Sequence, residues 1–346
     1  VYTGPSSSKM FAASGTAFYD VTNGGTISST SLTGLTNARW QYVNITTTGG
    51  SYLLAVNGAD KQRVWDGSAW HKDGDGAPYD VTGVDTATCS NIQLFKNRIW
   101  LIQANTLKAW YLPINSIGGA ANSLDMSSIA RRGGTLVAAM TWTLDAGYGM
   151  DDMLAFITTK GDVMVWRLTD PTTPTGISLV GVYELGSPIG KRCFVKYGGD
   201  LLIITQDGVV PMSGALQSSR LDPRVSITNK IQFAMSAAIS TYGSNFGWEL
   251  LPYPKENMLF LNVPVVEGEQ QQQYVQNNIT QAWCNFTGWG AYCWEIFGDD
   301  PYFGGDGFVA KAWDTNTYKD GDNNITTNVI QAFNYFDSRG VKKYFT

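Results

Sequence analysis

The stretch Val64-Trp65-Asp66-Gly67-Ser68-Ala69-Trp70 decides how this chain is read. An aromatic residue precedes an aspartate, a glycine follows, and a second aromatic closes the stretch. An aspartate side chain can accept a backbone N–H two residues on and so start a tight turn. The flanking aromatics can then pack on facing strands. The same step recurs in Trp313-Asp314-Thr315-Asn316-Thr317-Tyr318, with the second aromatic at the same offset, and without it in Phe18-Tyr19-Asp20. A strand-turn unit repeated along 346 residues reads as blades or a stack of small sheets, not one large sheet.

Working outward, short strand pairs punctuated by Gly, Asn and Asp dominate. Met10–Asp20 holds two strands around Ser14-Gly15. Strands at Trp40–Ile45 and Tyr52–Val56 lead through Gly58-Ala59-Asp60 into Arg63–Asp66. Ile92–Phe95, Arg98–Gln103 and Thr106–Leu112 read as a three-strand meander. Leu136–Leu144, Met153–Thr158 and Asp162–Leu168 read as another, with Lys160-Gly161 as a hairpin turn. Leu179–Leu185, Arg192–Tyr197, Leu201–Thr205 and Val209–Met212 read as a four-strand set, in which Gly198-Gly199 and Asp207-Gly208 are hairpin signals. Trp248–Pro252, Met258–Val263, Tyr274–Asn278 and Ala282–Phe286 follow, then Tyr292–Phe297, Phe308–Asp314 and Val329–Phe336. The predicted fold is all-β: a β-propeller of about six or seven blades, residues 1–346 forming a single domain. No βαβ alternation supports a parallel sheet.

Three segments break the pattern. In 226–243, Ile231, Ala234, Met235, Ala238, Ile239 and Tyr242 follow helical spacing, with Ser226 or Thr228 to cap the start and Gly243 to end it. This amphipathic helix between blades either packs on the propeller or meets a neighbouring subunit. Residues 113–134 form a long Gly-, Ala- and Ser-rich insertion ending in Arg131-Arg132-Gly133-Gly134. Residues 264–275 carry the run Gln270-Gln271-Gln272-Gln273 and read as an exposed hairpin tip. Loops of such length are usually functional or mobile.

The chain is 43% apolar and 13% aromatic, so a large core is available, but only 15% charged, well below the usual ~25%. Interface cores are likewise poor in charge and rich in aromatics, so this balance fits extensive subunit contact, and equally an extracellular sugar-binding protein. The net charge of −5 argues against a tight DNA reader, which needs a basic stripe. It leaves open a conduit through which DNA slides. No run approaches the ~20 apolar residues of a membrane span. The chain starts at Val1 and stops in a strand-like run at Thr346, which reads as a piece lacking residues at both ends.

Candidate chemistry is sparse. His71 is the lone histidine, which nearly excludes a Ser-His-Asp triad or a two-His metal site and leaves a solvated surface role. Asp73-Gly74-Asp75-Gly76 and Asp320-Gly321-Asp322-Asn323-Asn324 start like calcium loops but lack the closing bidentate Glu, and read as polar turns. The adjacent pairs Asp151-Asp152 and Asp299-Asp300 suit a glycosidase poorly, because neighbours in a strand point to opposite faces while such enzymes need carboxyls on either side of one bond. Cys284 and Cys293 flank Thr287-Gly288-Trp289-Gly290 and could face each other across a hairpin, as free core thiols, a disulfide or part of a metal site. No catalytic, cofactor or metal residue is assigned. Arg131-Arg132 and Lys191-Arg192 are basic pairs in long interior loops, and Lys342-Lys343 lies near the end. They are either solvated faces or contacts to passing DNA or an acidic neighbour. Gln270, Gln271, Gln272 and Gln273 join Arg131, Arg132, Lys191 and Arg192 as candidate subunit or channel contacts.

An ordered string of local patterns carries a family resemblance. It runs from Asn97-Arg98-Ile99-Trp100 and Ala109-Trp110-Tyr111-Leu112-Pro113 through Thr141-Trp142-Thr143-Leu144-Asp145 and Thr159-Lys160-Gly161-Asp162-Val163. It continues with Pro188-Ile189-Gly190-Lys191-Arg192-Cys193-Phe194 and Thr205-Gln206-Asp207-Gly208-Val209-Val210-Pro211, then Trp283-Cys284-Asn285-Phe286-Thr287-Gly288-Trp289 and Phe333-Asn334-Tyr335-Phe336. Over roughly residues 90–340 the chain resembles the tail nozzle, or packaged-DNA stabilisation, proteins of short-tailed bacteriophages. The resemblance implies a structural virion protein in the phage tail, assembled in the host cytoplasm. It implies a propeller subunit in a homo-oligomeric ring of six copies below the portal and adaptor proteins. That ring would extend the DNA channel, help retain packaged DNA and hold tail fibres or spikes, with no enzyme activity and no cofactor. The competing reading is a carbohydrate-binding or glycan-cleaving propeller. A quinone- or metal-dependent propeller enzyme is harder to assemble with one histidine.

Overall fold

The computed structural model describes residues 1–27, 29–145, 150–216, 225–314, 319–320 and 323–329. Val1–Ala312 forms one compact unit and Trp313–Thr346 a second. In the second, Lys319–Asp320 pairs antiparallel with Asn323–Asn324. The first unit is an all-β propeller of six blades, each an antiparallel sheet whose strands follow one another along the chain, except that Gly119–Ala120 intervenes in the second and pairs elsewhere.

The first blade is Gln41–Thr47, Gly50–Val56, Arg63–Trp65 and Trp70–Lys72. The second is Cys89–Phe95, Arg98–Gln103, Lys108–Tyr111 and Asn122–Asp125. The third is Leu136–Asp145, Met150–Thr158, Asp162–Leu168 and Ile177–Glu184. The fourth has three strands, Phe194–Tyr197, Asp200–Thr205 and Gly208–Pro211. The fifth is Glu249–Tyr253, Met258–Val266, Gln270–Asn277 and Trp283–Thr287, and the sixth is Cys293–Phe297, Asp300–Gly304 and Val309–Lys311. The first strand of each blade lies beside the first strand of the next, around a common axis. Alternation along the strands sends apolar side chains to both faces of each blade. Leu54, Val56 and Val64 meet Ile92, Ile99 and Leu101 between the first and second blades. Each such fully buried aliphatic side chain contributes about 1.5–3 kcal/mol.

The aspartate turn forms as the sequence suggested. Asp66 Oδ1 accepts the N–H groups of Ser68 and Ala69 at 2.8 and 2.7 Å and the Ser68 hydroxyl at 2.8 Å. Trp65 and Trp70 stand opposite each other in register, ring centroids 5.5 Å apart. Phe11 and Phe18, from the N-terminal hairpin Phe11–Ser14 and Ala17–Asp20, pack on them at 5.0 and 4.8 Å. Asp20 repeats the device, accepting the Thr22 N–H at 3.1 Å. The matching Thr315-Asn316-Thr317-Tyr318 lies outside the described residues, as do Lys342-Lys343 and Phe333-Asn334-Tyr335-Phe336.

Several expectations change. Ile177–Glu184 closes the third blade instead of opening the fourth, because it pairs from Asp162↔Glu184 to Leu168↔Ile177. The turn Lys160-Gly161 explains the close approach: Gly161 adopts φ 86°, and a Cβ there would lie 2.3 Å from Leu185 O. The 113–134 insertion is partly ordered into sheet, since Asn122–Asp125 is the outer strand of the second blade and Gly119–Ala120 pairs with Val81–Thr82. The 264–275 tip is mostly strand, and only the turn around Gly268 is a tip. The helix spans Gln232–Tyr242, burying Met235 and Ala238, and Gly243 N–H closes it onto Ile239 O. Ser226 and Thr228 do not cap it. They bind the outer edge of the fourth blade at Val209. Cys284 and Cys293 sit in different blades and are free, so they share no hairpin.

Burial opposes ionisation of Asp66, yet the hydrogen bonds from Ala69, Ser68 and His71 hold its carboxyl down at about 2. A lowered carboxylate pKa stabilises the fold above the unfolded-chain value, and that gain is lost as pH falls through the folded value. Asp66→Asn keeps an acceptor oxygen but loses the charge. Thermal unfolding should show wild type ahead of the variant by about 1 kcal/mol at pH 7, after discounting for solvent screening. The advantage should shrink below about pH 4 and vanish near pH 2.

Candidate functional site

The chemistry collects where the first strands of the blades begin, around the axis. Arg192 ends the loop into the fourth blade. Its Nη1 donates to Glu249 Oε1 at 2.9 Å and its Nη2 to Trp40 O at 3.0 Å. Glu249 opens the fifth blade, and its Oε2 accepts the Trp294 N–H of the sixth blade at 3.0 Å. Tyr42, near the start of the first blade, donates its hydroxyl to Glu295 of the sixth. Glu295 also accepts the Ile296 N–H at 3.1 Å. Thus one arginine, two glutamates and one tyrosine link the first, fourth, fifth and sixth blades.

The electrostatics follow from this crowding. The Glu249 carboxylate beside it raises the Arg192 pKa and keeps the guanidinium charged. Burial pushes Glu249 up, opposed by Arg192 and the Trp294 N–H. Desolvation and Glu295 raise the Tyr42 hydroxyl. Desolvation by the surrounding protein raises the nearby Cys293 thiol, with Arg192 opposing. These groups satisfy each other. A nucleophile would need a depressed pKa or a free base beside it, and neither Tyr42 nor Cys293 has the former.

Of the residues expected to make contacts, Arg192 is therefore committed inside the propeller. Arg132 is held too: its N–H donates to Asp162 at 2.6 Å and its Nη1 to Leu185 O at 2.9 Å, tying the start of the third blade to the crossing into the fourth. Arg131 and Lys191 are exposed. Desolvation and the charge of Arg39 lower the Lys191 pKa. The glutamine run alternates as a strand must. Gln271 and Gln273 are buried at 3% and 0% exposure, while Gln270 is exposed and Gln272 half-buried. Gln273 donates to Asn262 at 2.9 Å, and Asn262 donates onward to Ala291 O at 3.0 Å. Gln271 and Gln273 are thus internal struts, not channel contacts, because the two-residue period turns them into the sheet packing.

The remaining candidates are also structural. His71 is half-buried, stacked on Tyr79 at 4.0 Å and paired with Asp66 at 3.1 Å, so it is only partly solvated. Asp73 is 6% exposed and accepts the Val81 N–H at 2.9 Å and the Thr86 hydroxyl at 2.7 Å, with Lys61 at 3.2 Å. Its carboxylate serves a polar turn. Among the described residues, no group of three His, Cys, Asp or Glu is placed to hold a metal. Asp152 accepts the Thr143 hydroxyl at 2.7 Å, and Asp300 pairs with Lys255 and Lys311 at 2.9 and 2.6 Å. Sequence reasoning missed Tyr42, Glu249 and Glu295. The available signal was a lone acid at the start of an otherwise apolar strand, as in Trp248-Glu249-Leu250 and Trp294-Glu295-Ile296.

No family model matches the chain, and no curated protein does. Among solved structures, the chain resembles a quinonprotein alcohol dehydrogenase-like protein from Bacteroides thetaiotaomicron. The identity is 11%, the TM-score 0.39, and the match covers 78% of this chain and 61% of that one. It also resembles the fission yeast SREBP-SCAP binding domains (13%, TM-score 0.36, covering 85% and 80%) and YCF48 from Cyanidioschyzon merolae (11%, TM-score 0.32, covering 85% and 76%). At these values the likeness concerns the fold alone.

Removing one member of a largely desolvated ion pair strands the other, at a cost of about 3–5 kcal/mol when burial is complete. Arg192 and Glu249 keep 26% and 14% side-chain exposure. Arg192→Ala should therefore cost about 2–3 kcal/mol in urea unfolding, whereas Arg131→Ala and Lys191→Ala should stay within about 0.5 kcal/mol of wild type.

Proposed function

We propose that this propeller is a structural subunit of a short-tailed phage tail nozzle. It would assemble as a ring of six copies below the adaptor and portal-side proteins, and hold tail fibres or spikes. DNA would pass through the lumen between copies, not along a propeller axis, since Arg192 already reaches from the fourth blade to Trp40 near the first. A lumen poor in Lys and Arg lets DNA slide, because few phosphates are neutralised and few counterions released.

The observation that carries this reading is an uncharged helix, packed on the propeller through Met235 and Ala238, that leaves a large apolar side chain in solvent. Phe233 is 92% exposed on it, and Ile279 is 75% exposed on a neighbouring turn. That turn is fastened beside the start of the helix: Lys230 donates to Gln281 O at 3.1 Å, and Trp283 to Ile227 O at 3.2 Å. An exposed phenylalanine and isoleucine on one side of a low-charge protein suit burial against another subunit. The resemblance over residues 90–340 supplies the identity of that assembly. The axial groups, already paired with one another, support a mechanical role without catalysis or cofactor.

One observation favours the glycan-cleaving alternative. Tyrosine serves as nucleophile in some glycosidases, and Glu295 is placed to take the Tyr42 proton. The raised Tyr42 pKa and the engagement of the neighbouring Glu249 carboxylate by Arg192 weigh against this use.

Co-expression with portal-side and adaptor proteins, followed by mass measurement and negative-stain microscopy, should give closed rings. Phe233→Asp should leave thermal stability unchanged and abolish those rings. A wild-type monomer that never joins a ring overturns the reading. Polysaccharide depolymerisation that Tyr42→Phe abolishes would establish the alternative.

A further inference from the structure

We infer that the blade ring has a single weak seam, between the sixth blade and the first, and that the axial polar cluster is the clasp holding it shut. The inference goes beyond the nozzle reading and does not depend on it.

Every other junction has apolar or main-chain cement. Inner strands lie side by side from the first blade through to the sixth, but the first and last, Gln41–Thr47 and Cys293–Phe297, lack packing of that extent. Apolar clusters join the first blade to the second, the second to the third, and the third through the fifth. Phe260 of the fifth blade stacks on Trp294 of the sixth at 5.4 Å. Main chain also bridges the fourth and fifth blades at Arg192 and Glu249. At the seam the arrangement differs. Leu53, Ala55 and Trp65, on the face of the first blade turned away from the second, pack on Tyr2, Phe18 and Trp40 of the N-terminal segment. All described strands of the sixth blade come from residues 293–311 and all of the first from 41–72, so among the described residues no blade mixes strands from the two ends. A shared blade would have closed the ring with a row of main-chain hydrogen bonds. Here the described links are side chains.

Tyr42 to Glu295 crosses the seam directly. Arg192 adds a second strap, binding Glu249 with one nitrogen and Trp40 O, beside the first blade, with the other. Glu249 in turn holds the Trp294 N–H, so both straps end on the strand that carries Glu295. Arg39 with Glu267 adds a half-exposed rim contact, which solvent weakens. Loosening a few side-chain contacts at one junction lets a structure open locally while its other cores stay closed.

Native-state hydrogen exchange tests this. In Tyr42→Phe/Glu295→Gln, amides in 41–47 and 293–297 should exchange roughly tenfold faster or more, while those in 136–145 keep wild-type protection. Bridging Tyr42→Cys and Glu295→Cys with a bis-maleimide, in a Cys284→Ser/Cys293→Ser background, should restore slow exchange at both strands. Equal acceleration in all inner strands, or none at the seam, overturns the inference, as does a crosslink that fails to slow exchange there. If the double variant does not fold, the crosslinked protein still decides. Exchange at 41–47 and 293–297 slower than in the uncrosslinked cysteine protein supports the clasp, and no difference overturns it.

Discussion

The Glu249 carboxylate is the contact on which the axial architecture depends. One oxygen takes the Arg192 guanidinium and the other takes a main-chain N–H of the sixth blade, so a single side chain fastens three blades. Burial would normally make such a carboxylate costly. The cost is offset because both oxygens have donors and the arginine supplies a compensating charge. Arg192 then spends its second nitrogen on Trp40 O, which brings the approach to the first blade under the same control.

Elsewhere the propeller repeats a simpler arrangement, a strand turn closed by a carboxylate or hydroxyl over facing aromatic or aliphatic pairs. Asp66 does this at the edge of the first blade, and Asp20 in the N-terminal hairpin. Because polar side chains are consumed in turns and struts, few remain as free reagents. His71, Asp73, Asp152, Asp300, Gln271 and Gln273 all have internal partners. What stands unsatisfied at the surface is apolar, above all Phe233 and Ile279.

The fold was legible because its signals are local. Two-residue alternation and turn residues such as Lys160-Gly161 and Asp207-Gly208 mark strands and hairpins whatever the rest of the chain does. Assignment of strands to blades was less legible. Ile177–Glu184 went astray because Pro and Gly punctuate both the turn at 169–176 and the crossing at 185–193, and only pairing with Asp162–Leu168 shows which of them ends the blade. The glutamine run misled for the reason opposite to its appearance. Polar composition suggested a tip, while strand alternation buried every second side chain.

Sequence alone was enough for an all-β chain of short hairpins, an interrupting helix, and aspartates that form turns. Those follow from backbone preferences and periodicity within a few residues. Only the tertiary structure decided that Tyr42, Arg192, Glu249 and Glu295 meet at the axis, because they lie in blades far apart along the chain and converge only when the ring closes. It also set Arg192, half-buried, and Arg132, exposed but bonded to Asp162 and Leu185, apart from the exposed Arg131 and Lys191. Adjacent residues of the same charge look equivalent in sequence, and the direction each side chain takes from its backbone separates them.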